Sequence, residues 1–328
     1  MSRLLMPLAA VYGAVAGHRL RRAGFDAGIP VLCIGNYHVG GAGKTPAVLA
    51  LVRELRALGE TPVVLSRGYG GRLRGPVKVD LDRHTAGEVG DEPLMLARSV
   101  AVVVSRERID GVALARSQGA SVIVMDDGFQ NPALAKDASL IVIDARRGLG
   151  NGRVFPAGPL RAPLPPQIDR TDALIVVGDG AAAGGVAAIV ASRGKPVISA
   201  HLKADAASVA SLHGKRVLAF AGIGDPQKFF STLRASGIEV VEERPFADHH
   251  PFSRSEIESL IAAARGSGLT MVTTEKDLAR LRGRDDIPEQ TREIVAFPVT
   301  LEIEGAELRK LVSDWLFAAR ENKFRARN

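Results

Sequence analysis

Between positions 40 and 45 the chain reads Gly40-Gly41-Ala42-Gly43-Lys44-Thr45, where small side chains leave the backbone amides open and a lysine and a hydroxyl follow. Amides exposed in this way cradle phosphate oxygens, the lysine ammonium neutralises the terminal phosphates, and the threonine hydroxyl ligates Mg²⁺. Gly40, Gly41, Ala42, Gly43, Lys44 and Thr45 are therefore the expected phosphate contacts, with ATP and Mg²⁺ as the cofactors. The usual motif opens with glycine, and here His38 stands in that place, leaving Gly35, Gly40 and Gly41 to take up the turn.

Asp126-Asp127 follows the apolar run 121–125. Carboxylates at the C-terminal end of a buried strand organise Mg²⁺ and its waters beside the loop threonine, so Thr45, Asp126 and Asp127 are the candidate metal ligands. Which aspartate lies nearer the ion stays open, because moving a strand end by one residue turns its side chains to the other face. Arg67 and Tyr69, in Ser66-Arg67-Gly68-Tyr69-Gly70-Gly71, have the reach to meet a phosphate or a sugar hydroxyl, although a plain turn accounts for them as well. Glu92, beside Asp91, either tunes the metal, orients a substrate or caps a helix over 92–97. Arg106 and Arg108 read as solvated surface arginines.

Such residues need a rigid frame. An apolar strand over 31–34 runs into the glycine loop, and a helix over 46–57 carries apolar Val48, Leu49, Leu51, Val52 and Leu55. Strands over 63–66, 100–104, 121–125 and 140–143 alternate with helical segments, the signature of a parallel sheet with crossover helices; Pro62, unable to donate to a ladder, sets the start of the second strand at Val63. Glycines and prolines break the pattern over 148–166, and a second series follows, with strands at 173–177, 197–199, 217–220 and 269–272. Helices are expected over 226–236, over 253–265 with a Ser253/Glu256 capping box, and over 306–320. The expected domains are a kinase unit over 1–150, a linker over 151–167, a second α/β unit over 168–301, and a C-terminal helix over 302–328 packing back on the first.

The 328 residues carry a net charge of +7, which by itself suits nucleic acid, an anionic membrane or a phosphorylated substrate equally. The basic residues are dispersed and aromatics make up only 5%, so no base-stacking surface is expected and no nucleic-acid partner. One cysteine, Cys33, excludes an intramolecular disulfide, and no ligand spacing suggests zinc. The apolar stretch 4–17, followed by His18-Arg19-Leu20-Arg21-Arg22, is too short to span a bilayer. It reads as an interfacial helix with a basic end or as a terminal helix packed on the first domain; a signal-peptide core is disfavoured because ATP chemistry belongs inside the cell.

Together these motifs resemble the tetraacyldisaccharide 4'-kinases of lipid A biosynthesis. The resemblance is carried by Gly35-Asn36 through Pro46, the Ser66–Gly71 run, Gly90-Asp91-Glu92-Pro93, Asp126-Asp127-Gly128-Phe129-Gln130, Gly150-Asn151-Gly152 and Pro156-Ala157-Gly158-Pro159-Leu160-Arg161. It continues in Phe220-Ala221-Gly222-Ile223-Gly224, Asp248-His249 and Thr273-Thr274-Glu275-Lys276-Asp277. It implies two α/β/α domains joined by a short β ribbon, the first of P-loop type, with the active site in the cleft. It also implies a lipid disaccharide acceptor, peripheral attachment to the cytoplasmic face of the bacterial inner membrane with its anionic lipids, and no obligate protein partner. In this likeness Asp91 and His249 join Lys44 as catalytic residues, and Asn36, Arg67, Tyr69 and Glu92 bind substrate. Asn131 and Ala162 depart from the pattern, where the family often has histidine and an acidic residue.

A P-loop alone does not separate transfer from hydrolysis, but no Asn-Lys-x-Asp guanine reader is present, which disfavours a GTPase switch. The loop reading makes a direct prediction. Lys44→Ala removes the charge opposite the terminal phosphates and should lower turnover by roughly 10²-fold or more in a folded protein. Wild-type turnover in that variant, measured by phosphate release, would remove the assignment.

Overall fold

The computed structural model describes residues 4–41, 43–282, 284 and 286–326; Ala42, one of the expected phosphate contacts, lies outside them. In chain order the elements begin α1 (Met6–Leu20), β1 (Val31–Gly35), α2 (Lys44–Ala57), β2 (Pro62–Ser66), β3 (Val77–Lys78), α3 (Ala86–Val89), α4 (Asp91–Leu96), β4 (Ala101–Val104) and α5 (Arg108–Ser117). They continue with β5 (Val122–Asp126), β6 (Ala138–Asp144), α6 (Leu164–Asp169), β7 (Ala173–Val177), α7 (Gly184–Ala191), β8 (Val197–Ala204), α8 (Ala206–Leu212), β9 (Arg216–Ala221) and α9 (Pro226–Ala235). The last are β10 (Glu239–Pro245), α10 (Arg254–Gly266), β11 (Thr270–Thr273), α11 (Glu275–Leu281), β12 (Val295–Ala296), β13 (Val299–Ile303) and α12 (Glu307–Arg325).

Two sheets organise the chain. A nine-stranded sheet has the order β13-β8-β7-β6-β1-β5-β2-β4-β3, and a four-stranded sheet the order β10-β9-β11-β12. Only the edge pairs β13–β8 and β3–β4 are antiparallel. Strands β1, β2, β5 and β6 are buried at every position, as apolar runs with helices on both faces must be. On one face α2 and α12 share a core through Val48, Leu51, Leu55, Val312 and Leu316; on the other, α5 and α7 pack through Val112, Ala115, Val186 and Val190. The small sheet is covered likewise, by Ile257, Leu260 and Leu278 on one side and Phe229, Phe230 and Leu233 on the other. The architecture is two α/β/α layers, with β1 and its phosphate loop at the middle of the larger.

The division of the chain differs from the expected one. β7 and β8 pair with β6, so residues 173–204 belong to the large sheet and the small sheet starts only at β9. Residues 151–167 do not carry the chain between the sheets but lie along the phosphate loop, where the Val39 amide donates to Pro159 O (2.9 Å) and the Arg161 amide to Tyr37 O (2.9 Å). The crossing is made by the ribbon β8/β13, which runs from Val299 opposite Ala204 to Ile303 opposite Ala200. Proline and glycine signal irregular backbone and say nothing about which sheet the next strand joins. β2 begins at Pro62, one residue earlier than expected, and Pro62 pairs with Val122. Arg108 is buried, 2% exposed, and its guanidinium bonds Ser105 O, which corrects its reading as a surface residue.

The N-terminal helix packs with its small residues. Ala9, Gly13 and Gly17 are buried at helical spacing, and a Cβ on Gly13 would lie 3.5 Å from the Pro163 ring. Leu4, Leu8, Val11 and Val15 point away from the protein, between 56% and 82% exposed, and Arg19, Arg21 and Arg22 are exposed at the far end. Among the described residues no helix is long and apolar enough to cross a membrane.

Candidate active site

The phosphate loop is shaped by the strand that enters it and the helix that leaves it. Gly43 caps α2 with φ of 85°, a conformation that a side chain disfavours, and α2 starts at Lys44 with its amides free for an anion. Asn36 is fully buried and donates from Nδ2 to Gly40 O (3.1 Å), while Gln130 Nε2 donates to Asn36 O (2.8 Å). Asn36 thus braces the loop from inside, and the structure does not bring it to the cleft surface as a substrate contact. Thr45, 7% exposed, lies at the first turn of α2.

The two aspartates separate. Asp127 receives both guanidinium nitrogens of Arg161, at 3.0 Å each, and Lys44 Nζ at 3.7 Å. Burial would raise its pKa, but Lys44 and Arg161 outweigh that and hold the carboxyl below its usual value. Asp126 ends β5 with its carboxylate 3.3 Å from Ser66 Oγ, and burial, reinforced by the charges of Glu92 and Asp127, pushes it up to about 7. The turn at the strand end is the cause: β5 stops at Asp126 and Asp127 takes left-handed backbone (φ 50°), so one side chain meets the loop's cations and the other Ser66.

Across the cleft stands the small sheet. Asp91, 5% exposed at the start of α4, has Oδ2 at 3.2 Å from His249 Nδ1. Arg280 from α11 donates to the same oxygen from Nε (2.8 Å) and from its second terminal nitrogen (2.5 Å). Burial opposes ionisation of Asp91, yet the hydrogen bond from His249 and the charges of Lys276 and Arg280 keep it well below the carboxylate range. The hydrogen bond to Asp91 raises His249, against its partial burial. Glu92 meets Lys276 Nζ at 2.5 Å, a second charged contact between the sheets, and a third joins Lys228 to Asp144, also at 2.5 Å. Tyr69, 67% exposed, places its ring edge-to-face on His249 with centroids 5.3 Å apart, and Arg67 is exposed beside it. His250 turns elsewhere, bonding Glu256 at 3.0 Å and stacking on Phe246.

Two features bind these halves together. Gly224 approaches the phosphate loop so closely that a Cβ there would stand 3.4 Å from the Gly41 amide nitrogen. Asp127 (φ 50°) and His249 (φ 57°) are the non-glycine residues with positive φ among those described. Left-handed backbone costs about 1–3 kcal/mol at such residues and gathers at functional sites. An open groove of about 950 Å³ between α2, β13 and α12 contains none of these groups. The sequence reading passed over Arg280 and the pairing of Glu92 with Lys276; Arg280, three residues after Asp277 on one helical face, carried that much of a signal.

The Asp91–His249 contact makes a measurable statement. A histidine whose folded value is raised contributes stability that is complete below its ordinary value of 6.5 and is lost as pH rises through the raised one. In a ¹⁵N imidazole titration His249 should protonate above that ordinary value in the wild type and fall back toward it in Asp91→Asn. An unchanged midpoint in the variant would show that Asp91 does not set it.

Comparison with known proteins agrees with this geometry. Residues 1–316 match the family described as Tetraacyldisaccharide-1-P 4'-kinase. A tetraacyldisaccharide 4'-kinase of Bradyrhizobium diazoefficiens is 66% identical over 324 residues, 98% of this chain and 95% of that one. One from Rhodopseudomonas palustris strain BisB5 is 63% identical, covering 99% and 96%. The crystal structure of LpxK from Aquifex aeolicus in complex with ATP superposes with a TM-score of 0.74 at 27% identity, over 96% of this chain and 99% of the other. A whole-chain family match, relatives above 60% identity, and a phosphate loop facing a second α/β/α unit converge: the chain belongs to the tetraacyldisaccharide-1-phosphate 4'-kinase family.

Proposed function

We propose that this protein transfers the γ-phosphate of ATP to the 4'-hydroxyl of a tetraacylated glucosamine disaccharide 1-phosphate, giving the 1,4'-bisphosphate of lipid A biosynthesis. The observation that carries this reading is the meeting of Asp91 and His249, 3.2 Å apart and from different sheets, in the cleft that the phosphate loop faces. Lys44 and the loop amides hold the terminal phosphates. Asp91 takes the proton of the attacking hydroxyl as the new O–P bond forms and the bond to the ADP oxygen breaks, and His249 orients Asp91 or shares that proton. Tyr69 and Arg67, exposed at the cleft, position the acceptor, whereas Glu92, tied to Lys276, acts on it only through the seating of the two units.

Mg²⁺ fits the groups present. Thr45 offers a hydroxyl and Asp126 a carboxylate bonded only to the Ser66 hydroxyl, all hard oxygen donors, while Asp127 is neutralised by Arg161 and Lys44. Thr45 and Asp126 would hold the ion, which supplies neutralisation of charge on the transferring phosphate.

Labelled ATP with and without the lipid disaccharide tests the whole reading. Asp91→Ala and His249→Ala should each cut transfer by about 10²-fold or more with ATP binding little changed, the double variant should lose much less than the summed penalties, and chelation should abolish turnover. Near-normal transfer by folded Asp91→Ala, or activity surviving chelation, would overturn it.

The lipid acceptor is met by α1. Met6, Leu8, Val11, Tyr12 and Val15 face outward, the reverse of a helix that serves only packing, and its basic end lies where anionic headgroups would be. The protein is peripheral, attached to the cytoplasmic face of the inner membrane. Leu8→Asp with Val11→Asp alters two residues 61% and 68% exposed, so the fold should survive. Flotation with anionic vesicles should fall by about tenfold or more, while turnover on detergent-dispersed acceptor is kept. Unaltered flotation would leave α1 with packing alone.

A further inference from the structure

Arg280 is placed unlike any other cation near the site. It is 10% exposed and holds Asp91, Asp277 and Gly222 O, with His249 Nδ1 a further 3.4 Å contact of the terminal nitrogen that meets Asp91. Nε and one terminal nitrogen converge on Asp91 Oδ2, at 2.8 and 2.5 Å, while the other terminal nitrogen holds Asp277 Oδ1 (2.6 Å) and Gly222 O (2.7 Å). Both of those anchors lie in the small unit. Gly222 O also accepts from the His249 amide (3.0 Å), and the Gly222 amide donates to Asp277 Oδ2 (3.1 Å). The same loop, two residues on, abuts Gly41 of the phosphate loop.

We propose that Arg280 is a positioning residue for phosphoryl transfer: it carries the seating of the small unit into the orientation of Asp91, taking Oδ2 and leaving Oδ1 to face the acceptor hydroxyl. The proposal rests on the reading of Asp91 as proton acceptor. Oδ1 accepts only the amide of Glu92 (2.9 Å), so it retains a lone pair, whereas Oδ2 is claimed by Arg280 and His249. The two-donor fork fixes the plane of the carboxylate, which a point charge cannot do. Withdrawal of the small unit would remove Arg280 and His249 together and leave Asp91 without its cations, so closure over the phosphates and readiness of the proton acceptor become one event.

The charged groups facing Asp91 are Arg280, Lys276 and Asp277 from α11, His249 and Asp248 from the loop after β10, and Glu92 on its own helix. Lys276 is paired with Glu92, and Asp277 shares Arg280. Loss of Arg280 therefore removes a cation that no neighbour replaces.

The test pairs kcat for lipid phosphorylation by the full-length enzyme at saturating Mg-ATP with the titration of the Asp91 carboxylate followed by ¹³C NMR. Arg280→Met should raise that titration by at least about one pH unit, an opposite charge being worth one to three, and lower kcat at pH 8 by about tenfold. KM for ATP should stay within about twofold, because among the described residues Arg280 touches no part of the phosphate loop. Arg280→Lys keeps a cation without the fork: the titration should hold its position and kcat should fall several-fold. An unmoved Asp91 titration in Arg280→Met, or wild-type kcat in Arg280→Lys, would overturn the proposal, and the second result decides if the methionine variant does not fold by circular dichroism. Asp91→Asn, run alongside, separates the layers. If it is inactive while both Arg280 variants match wild type, only the role of Arg280 fails; if it transfers normally, the assignment of Asp91 fails and takes Arg280 with it.

Discussion

The arrangement of the two sheets depends on one buried carboxylate. Asp91 is 5% exposed, and an ionised carboxylate removed from water is tolerated only with charged or hydrogen-bonding partners. Its own sheet supplies a single amide, that of Glu92; the remaining partners, Arg280 and His249, come from the other. The small unit is therefore held where it is by a need of the large one. Lys276 with Glu92 and Lys228 with Asp144 repeat the pattern, each pairing a cation of the small unit with a carboxylate of the large. Such bridges exchange for water at small net cost, so a closed state built on them can open, which an apolar interface of the same extent would resist.

The phosphate loop meets the opposite requirement. It must keep amides free for an anion while its own backbone stays rigid, and the chain achieves this by bracing it from behind. Asn36 and Gln130 bond its entry strand and Gly40 O, and residues 153–161 run alongside it through the Val39 and Arg161 amides. Arg161 reaches from that brace to Asp127 and leaves Asp126 as the carboxylate without a cation. Ala162, a position where the family resemblance breaks, is fully buried, its carbonyl accepting from Gln167 Nε2 at 2.8 Å. A charged side chain there would lie against the apolar layer containing Leu160 and Ile168.

The first helix follows from a similar economy of side-chain size. Ala9, Gly13 and Gly17 let it lie close on Pro163 and Pro166, and the space saved inward leaves Met6, Leu8, Val11, Tyr12 and Val15 outside, with Leu20 alone of its large apolar residues turned in. Helix amphipathicity ordinarily turns bulk toward the core; here the bulk turns outward and leaves an apolar surface in contact with water.

Much of this was legible along the chain because it is local. The strand, glycine loop and helix around Lys44, the capping box at Ser253, where Oγ accepts from the Glu256 amide at 3.3 Å, and the apolar runs of the parallel sheet all depend on residues within a few positions of one another. Where the chain changes sheets was not legible, since β7 reads as a strand whichever neighbour it takes, and pairing with β6 is a choice among partners dozens of residues apart. The same limit governs the site. Asp126 and Asp127 were legible by pattern and Asp91 and His249 only through the family resemblance, but which aspartate faces cations depends on how the chain turns at the end of β5, and Arg280, 189 residues from Asp91, becomes its partner only when two sheets close on each other. Residue type and spacing determine which chemistry a segment is able to perform. Distance, burial and the pairing of charges, which set how each group ionises, exist only once the tertiary structure has removed water from between them.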